Sequence, residues 1–352
     1  MYSEEQNYYY TEKSDMGQHM EQLNEAYNIF RIVFGEAMSK EQFERKHFGN
    51  PQKLDNPIRF YYEDNQAAGI NAFMGSVLIV DGEKHWVAQS NDTAVLPEFR
   101  GRHIFTKIIT AEENSNNEEF IFGIPNGNSY PGFLKMGWTQ KCEFTHYIRI
   151  INPIGLLIGS NAISDALRRF CASFFGIKRL SDQERIEKSL IPDFSDGEIK
   201  AINDSVSCAI ERTNEYFQWK LSNRLDQPTF LKLYDGDRLL GYILYHVKQR
   251  GRGKSAVIDD FGVMVDGKDE KIVVMKKMLH QLANESDLID NPLVNPDSVD
   301  AELTRQSGMF DFRRIKRNYQ CQPLLVSKSG KDAVYMRRFQ MRYVDFDVFL
   351  NA

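Results

Sequence analysis

Cysteine is scarce and scattered in this chain of 352 residues. The cysteines Cys142, Cys171, Cys208 and Cys321 form no Cys-x-x-Cys pair, and no histidine lies near them at the spacing of zinc ligands. This pattern excludes a disulfide framework and a zinc module, and it indicates free thiols in a reducing compartment. We therefore expect a protein without a metal site.

Excess basic charge and long apolar runs are also lacking. The formal net charge is -5, whereas nucleic-acid-binding proteins normally carry a basic face, so we expect no nucleic-acid partner. The longest apolar stretch, Ile151–Gly159, is far shorter than the ~20 residues of a membrane helix. The first residues are polar and acidic, unlike a secretory signal. Together these features predict a cytoplasmic protein without a membrane span.

The material that is present suits two ordinary globular domains. Hydrophobic residues make up 42% of the chain and charged residues 26%, and domains average roughly 150 residues. In the first half, apolar spacing predicts two helices, three antiparallel strands, a helix at about Gly101–Asn114, a strand, a short helix and a final strand. Asp64-Asn65 and Asp81-Gly82 are turn signals between the three strands. This order predicts an α/β fold with a mixed, α+β type of sheet.

The second half repeats the plan of the first. We predict a domain over residues 1–150, a helical linker over 151–200 and a second domain over 201–352. Asp92 of the first half aligns with Asp260 of the second. An internal repeat of this kind indicates two tandem domains of one fold.

Three further elements are expected around and within the second domain. The linker contains an amphipathic helix at Ile163–Phe174, and Glu198–Ile210 has helical spacing. A closing strand is expected at Arg337–Phe349.

A basic, glycine-containing turn after the third strand is the most informative segment. A helix begins directly after the turn, and its first amides have no partners within the helix. A pyrophosphate is well matched to such a site, and Arg100 and Arg102 add charge-assisted hydrogen bonds. A helix cap with two solvated arginines is the alternative.

The same turn resembles the acyl-CoA signature of the GNAT N-acetyltransferase superfamily, Arg/Gln-x-x-Gly-x-Gly/Ala. Arg100 matches the first position, whereas His103 and Phe105 stand at the two small positions. The resemblance implies contacts to the coenzyme mainly from the main chain. It places the cofactor site in this segment at Ala94, Val95, Leu96, Arg100, Gly101, Arg102, His103, Ile104, Phe105 and Thr106.

A second family pattern, Asn-x6-Tyr-x3-Gly-Phe, follows the next strand. Asn126, Gly137 and Trp138 are in register with it, and Phe133 replaces the tyrosine that protonates the leaving thiolate. The resemblance implies that Asn126, Ser129 and Phe133 line the acyl-CoA site and that two strands splay apart around the pantetheine arm. Either Tyr130 replaces the missing acid or the thiolate leaves unprotonated, because a free thiol has a pKa near 8.5.

Tandem chains with a Gln218-Trp219-Lys220 segment and an Asp345-Phe346-Asp347 end resemble bacterial amino-sugar N-acyltransferases of surface-glycan (polysaccharide) biosynthesis. The second half has an acidic run, Asp266–Glu270, where an arginine loop would be needed. We therefore expect it to be a degenerate GNAT-like domain on the acceptor side. The resemblance implies that acetyl-CoA, or another short acyl-CoA, donates the acyl group to a small-molecule amine, such as a nucleotide-linked amino sugar.

The predicted reaction is attack of a neutral amine on a thioester. The amide of Val95 is the candidate oxyanion donor. Asp92 is either the general base or an anchor for the acceptor amine, and Ser90 shares its face of the strand. Strand alternation sets Asp92 and Val95 on opposite faces, so a β-bulge is needed if both serve the same cleft.

Other acceptors and another class of protein stay open. An acidic cleft with Asp259 and Asp260 would suit a polycation such as an aminoglycoside. Arginines such as Arg212, Arg224 and Arg250 would suit a nucleotide sugar. A protein or peptide amine is a further alternative, and so is a non-catalytic protein that binds coenzyme A. No Gly-x-Gly-x-x-Gly follows an early strand, which disfavours a dinucleotide-binding enzyme.

Overall fold

A computed structural model describes residues 16–54, 57–110, 118–159, 180–222 and 226–346, together with Ala166, Phe170 and Arg224. The amphipathic helix expected at 163–174 lies almost wholly outside the described residues. Among the helices of the described residues, none is both long and apolar enough to cross a membrane.

The first half alternates helices and strands in the predicted order. Both predicted hairpin turns form, and their residues Asp64, Asn65, Asp81 and Gly82 all have positive φ, as tight two-residue hairpins require. The elements are α1 (Met16–Phe34), α2 (Lys40–Phe48), β1 (Ile58–Glu63), β2 (Gln66–Val80), β3 (Glu83–Val95), α3 (Ile104–Thr110), β4 (Ile121–Gly123), α4 (Tyr130–Lys135), β5 (Thr139–Ile150) and α5 (Pro153–Ile158).

The second half contains the same meander, helix, strand and helix. Its elements are β6 (Glu184–Ser189), α6 (Asp196–Asp204), β7 (Cys208–Ile210), α7 (Asn214–Leu221), β8 (Thr229–Asp235), β9 (Arg238–Arg250), β10 (Gly253–Val263), α8 (Lys268–Glu285), β11 (Leu288–Val294), α9 (Val299–Gln306), β12 (Phe310–Asp311) and β13 (Gln322–Val326). Two 3₁₀ turns follow, at Val334–Arg338 and Tyr343–Asp345.

The strands form one mixed sheet in the order β1-β2-β3-β4-β13-β5-β11-β10-β9-β8-β6. β5 serves both halves, because its first part pairs with β13 and its second part pairs with β11 and β12. β13, from near the end of the chain, lies between β4 and β5. The halves are therefore interlocked, and the domain limits at 150 and 200 stay a prediction.

The internal repeat is visible in the topology. In each half, three antiparallel strands lead into a helix and then into a strand parallel to the third: β1–β3, α3 and β4, and again β8–β10, α8 and β11. Each meander also has a register shift near its aspartate, between Asn71 and Phe73 opposite β3 and between Ile258 and Asp260 on β10. The predicted mixed α/β fold with a tandem repeat is confirmed.

Three predicted elements differ from the structure. The helix expected to begin at Gly101 begins at Ile104, and the helix expected to reach Ile210 ends at Asp204. Residues 208–210 instead form β7, because they pair with the exposed edge of β2.

The closing strand expected at 337–349 is wrong for its described part, which ends at Phe346. The backbone of Asp345 donates to the carbonyl of Arg342, and the amide of Arg342 donates to the Asp345 carboxylate at 2.8 Å. These local bonds favour a tight turn over a ladder.

Candidate functional site

β3 and β4 pair over three residues only and then separate. The parallel ladder joins Ala88–Ser90 to Ile121–Gly123. β3 continues to Val95, while β4 is followed by Ile124 and Pro125. The ladder between the two strands therefore ends at Ser90, and the space between β3 and the chain after β4 is called the gap below.

Of the three residues in the expected segment Ala94–Leu96, Val95 is the one with a backbone that faces this gap. The amide of Leu96 donates to the carbonyl of Ala68 on β2 at 3.0 Å, and Val95 lies opposite Gly69. Opposed residues of an antiparallel ladder alternate between bonded and non-bonded pairs. The N–H and C=O of Val95 therefore point away from β2, whereas Ala94 and Leu96 use their backbone groups within the ladder.

A cradle of backbone amides follows at the end of β3. A 3₁₀ turn over Pro97–Phe99 leads to Gly101 and His103, whose φ angles are 82° and 62°, and α3 then begins. Among the described residues, the amides of 101–106 have no hydrogen-bond partner. Successive free N–H groups in such a turn form an anion-binding concavity. A Cβ placed on Gly101 would meet nothing within 4 Å, so the cradle is open.

The polar contacts of the arginines beside the cradle are long. The Nε of Arg100 donates to the Val95 carbonyl at 3.4 Å, and Nη2 of Arg102 donates to the Glu98 carbonyl at 3.4 Å. Arg102 also lies 3.4 Å from Glu63. Arg100, Arg102 and His103 are all exposed. Exposed contacts of this kind stabilise little, so the arginines are free to turn to a phosphate.

The two departures from the family signature have local structural consequences. His103 keeps the left-handed backbone for which glycine is favoured, with φ at 62°. Phe105 packs on Phe133, with ring centroids 5.4 Å apart. A Cβ on Gly132 would lie 3.0 Å from the ring of Phe105. The aromatic side chain therefore fits at a small position because a glycine lies opposite it.

Replacement of His103 by glycine should raise the Tm slightly, because an L residue in the left-handed region costs about 1–2 kcal/mol, partly offset by the greater chain entropy of glycine. Gly101→Ala is the matched control. A Cβ there would meet no neighbour, but φ is 82°, so backbone strain should lower the Tm. Thermal unfolding of both variants checks the pair. A His103→Gly protein that melts below the wild type would contradict the expectation.

The loop after β4 is organised by Asn126. Its Oδ1 accepts hydrogen bonds from the amides of Asn128 and Ser129, both at 3.0 Å, and from the Ser129 hydroxyl at 3.1 Å. Asn126 is exposed, and its Nδ2 has no hydrogen-bond partner among the described residues. This amide remains available as a donor at the mouth of the gap.

The aromatic residues of α4 have distinct environments. Phe133 is buried against Trp138, with ring centroids 4.6 Å apart, and holds no polar group. The hydroxyl of Tyr130 donates to Oε1 of Gln140 at 2.5 Å, and Gln140 in turn donates to Glu143 at 2.9 Å. Tyr130 is thus the hydroxyl-bearing side chain of this helix, and its proton is directed to Gln140.

Asp92 is buried and paired with two residues of α2. Nζ of Lys46 donates to its Oδ2 at 2.7 Å, and Nε2 of His47 lies 3.0 Å from the same oxygen. Burial by itself raises the pKa of Asp92, but the charge of Lys46 and the contacts with His47 outweigh it and hold that pKa well below its usual range. The carboxylate is therefore ionised and a weak proton acceptor at neutral pH.

Sequence reasoning missed Lys46 and His47, although a signal was present. Phe43, Lys46 and His47 lie on one face of a nine-residue helix and are all buried there. A lysine that shares the buried face of a helix requires a counter-charge.

Ser90 lies against a different partner. Its hydroxyl donates to Oδ1 of Asn71 at 3.3 Å, and the Thr93 hydroxyl donates to the same oxygen at 2.8 Å. The register shift between these residues places both hydroxyls on Asn71. Asp92 and Ser90 are thus close in sequence but bonded to different elements.

The aspartates and arginines named for the two alternative acceptor surfaces form internal pairs. Arg212 binds Asp260 at 2.7 Å and Asp345 at 2.9 Å. Arg224 lies 2.8 Å from Asp259. Arg250 lies 3.2 Å from Asp290. These pairs therefore favour neither the acidic cleft nor the arginine wall as the acceptor surface.

No cluster of histidine, cysteine and acidic side chains suited to a metal ion occurs in the part of the chain that the structure describes. Cys142 and Cys208 are buried and Cys321 is half-buried, all as free thiols. Burial is the main cause that raises the pKa of each of these thiols.

The fold is that of the GCN5-related N-acetyltransferases. A structure of one such protein from Anabaena variabilis ATCC 29413 matches with a TM-score of 0.63 at 14% identity, over 91% of this chain and 72% of that one. A probable N-acyltransferase of unknown function from Enterococcus faecalis V583 gives a TM-score of 0.58 at 14% identity, over 87% and 70%. Eis1 from Mycobacterium abscessus gives 0.57 at 14% identity, over 93% and 74%.

No protein-family model and no curated protein matches the sequence. The matches to solved structures confirm the resemblance that two short motifs predicted, at the level of the GNAT fold.

Proposed function

We propose that this protein is an acyl-CoA-dependent N-acyltransferase, which moves an acetyl or short acyl group to a primary amine. One observation carries the proposal: a strand gap lies beside a turn whose amides, at residues 101–106, have no hydrogen-bond partner among the described residues. The unpaired amides suit anionic phosphates, and the strand gap suits an extended arm that carries amide groups.

The described residues fit coenzyme A in two parts. The amides of 101–106 would hold the pyrophosphate, with Arg100 and Arg102 adding charge. The backbone of Val95 and the Nδ2 of Asn126 would bond the pantetheine arm from the two sides of the gap. Bound acyl-CoA supplies a thioester, whose carbonyl carbon the amine attacks.

The N–H of Val95 is the oxyanion donor in this proposal. It faces the gap, because Leu96 and Ala94 direct their amides to β2. A fixed backbone donor stabilises negative charge on the carbonyl oxygen more in the transition state than in the ground state.

Asp92 is an anchor in this proposal rather than the general base. Its ionised carboxylate is held by Lys46 and His47, and a carboxylate with so low a pKa takes a proton from an ammonium group poorly. The pair fixes α2 on the end of β3, where the gap opens. Tyr130 is the candidate acid for the thiolate, since Phe133 has no proton to give.

The acceptor that we propose first is a nucleotide-linked amino sugar, and the alternatives are a peptide amine and an aminoglycoside. We expect thiol release from acetyl-CoA with one of these amines, followed by detection of the N-acylated product. The assay should include each class of amine at equal concentration, with the matching N-acetylated compound as a control that cannot react. Binding of acetyl-CoA without thiol release on any amine would instead support a non-catalytic coenzyme A-binding protein.

A further inference from the structure

A cavity lined by three arginines lies where β5 meets elements of the second half. It measures about 370 Å³ and opens where β5, β12 and the end of α9 meet. The side chains that determine its chemistry are Tyr147, Arg305, Phe310, Asp311, Arg313 and Arg314. Its volume is within the range of small-molecule sites, roughly 300–1,000 Å³.

The acidic residue of the cavity is neutralised within it. Oδ2 of Asp311 accepts hydrogen bonds from Nε of Arg313 at 2.8 Å and from its Nη2 at 2.5 Å. Oδ1 accepts from the Arg313 amide at 2.9 Å and from the Thr145 hydroxyl at 3.2 Å. Asp311 therefore fixes the fork of Arg313, and the two charges cancel.

Two positive charges remain. Neither Arg305 nor Arg314 makes an ion pair or a side-chain hydrogen bond within the described ranges, and both are exposed. Tyr147 is 4% exposed. Burial, followed by the charge of Asp311, raises its pKa, so its hydroxyl is protonated and can donate at neutral pH. Two free guanidinium groups and a phenol form a set of donors for a multiply charged anion.

The cavity also has a defined position in the sheet. β4 and β5 are both antiparallel to β13, so they run in the same direction. Leu325 of β13 lies opposite both Gly123 of β4 and Gln140 of β5. Tyr147 lies further along β5, in the direction of the gap. The cavity and the acyl-CoA gap thus open towards the same end of the sheet, on separate strands.

We propose that this cavity is a diphosphate-binding site distinct from the amide cradle of residues 101–106. The two unpaired guanidinium groups bind the oxygens of a pyrophosphate, and the ring of Phe310 provides a wall for an attached nucleoside. The proposal extends the proposed function, because a nucleotide-linked amino sugar carries both a diphosphate and a nucleoside, but pyrophosphate binding tests the cavity independently of acyl transfer.

Calorimetric titration of the full chain with inorganic pyrophosphate, in the presence of saturating acetyl-CoA, tests the proposal. We expect one site per chain, with the Kd raised about tenfold or more in Arg305→Ala and in Arg314→Ala, because each removes a charge-assisted contact. Arg317→Ala is the matched control, since Arg317 is an exposed arginine of the same segment outside the cavity, and its Kd should stay within about twofold.

The outcomes separate this site from the proposed acyl-CoA site. Equal losses in all three arginine variants, or pyrophosphate binding that acetyl-CoA abolishes, would overturn the cavity site. A parallel titration with UDP distinguishes the sources of the ligand. A lower Kd for UDP than for pyrophosphate indicates a nucleotide, and equal values indicate free pyrophosphate. If acetyl-CoA itself does not bind, the proposed function fails, while the pyrophosphate titration of the three variants still decides on the cavity.

Discussion

Val95→Pro should lower kcat by about 100-fold or more while the Kd for acetyl-CoA changes only a few-fold. Proline removes the one N–H that we place on the oxyanion, and the loss of a single such donor typically costs about 3 kcal/mol in the transition state. The substitution removes no ladder bond, because the Val95 amide faces the gap rather than β2. Single-turnover thiol release, with acetyl-CoA binding measured separately, provides the numbers.

Val95→Ala is the control for this experiment. It shortens the side chain and keeps the amide, so kcat should stay within about threefold of the wild type if the amide is the group that acts. Circular dichroism and the Tm of both variants show whether β3 is intact. A folded Val95→Pro protein with a kcat within tenfold of the wild type would show that the oxyanion is stabilised elsewhere.

The parts of the fold and of the site that were predicted from the sequence have a local physical cause. Asp64-Asn65 and Asp81-Gly82 predict tight hairpins because few residues tolerate positive φ. The cradle at 101–106 follows from a strand that ends in a glycine-containing turn before a helix. These features depend on a few neighbouring residues, so one sequence suffices to detect them.

The parts that were missed depend on residues far apart in the chain. β13 is a short segment, Gln322–Val326, and its two partners β4 and β5 are separated from it by the whole second half. The ion pair between Lys46 and Asp92 likewise joins a helix to a strand that follows it at a distance. The local sequence of a segment does not determine which distant segment it pairs with.

The two halves also differ in what occupies the end of the third strand. In the second half, Nε and Nη2 of Arg342 donate to the carbonyl of Phe261 on β10 at 3.4 Å, and Arg342 also pairs with Asp300 on α9. The C-terminal segment thus links β10 to the helix after β11, across the place where the first half has its gap. This link accounts physically for a single proposed acyl-CoA site on a repeated fold.

Asp92→Asn should destabilise the protein by about 3–5 kcal/mol at neutral pH. The substitution keeps the shape of the side chain but removes the counter-charge 2.7 Å from Lys46, whose side chain is fully buried, and the loss of one partner of a buried pair carries a cost of this size. The double variant Lys46→Met, Asp92→Asn should recover part of the loss, since no buried charge is then left unpaired.

The pH dependence of this loss has a definite sign. The pKa of Asp92 is lowered in the folded protein, so its contribution is complete above the unfolded value, near 3.9, and declines as the pH falls through the folded value. The difference in stability between wild type and Asp92→Asn should therefore be smaller at about pH 3 than at about pH 5. Denaturant unfolding across this range measures it.

The same variant decides between an anchor and a general base. Loss of a general base costs roughly 10²–10⁴ in rate, whereas loss of an anchor lowers stability and leaves the chemical step largely intact. We therefore expect kcat of Asp92→Asn, measured well below its Tm, to remain within about tenfold of the wild type with an unchanged pH profile. A 1,000-fold drop in a protein whose fold is intact would assign proton abstraction to Asp92, in spite of its pairing with Lys46 and His47.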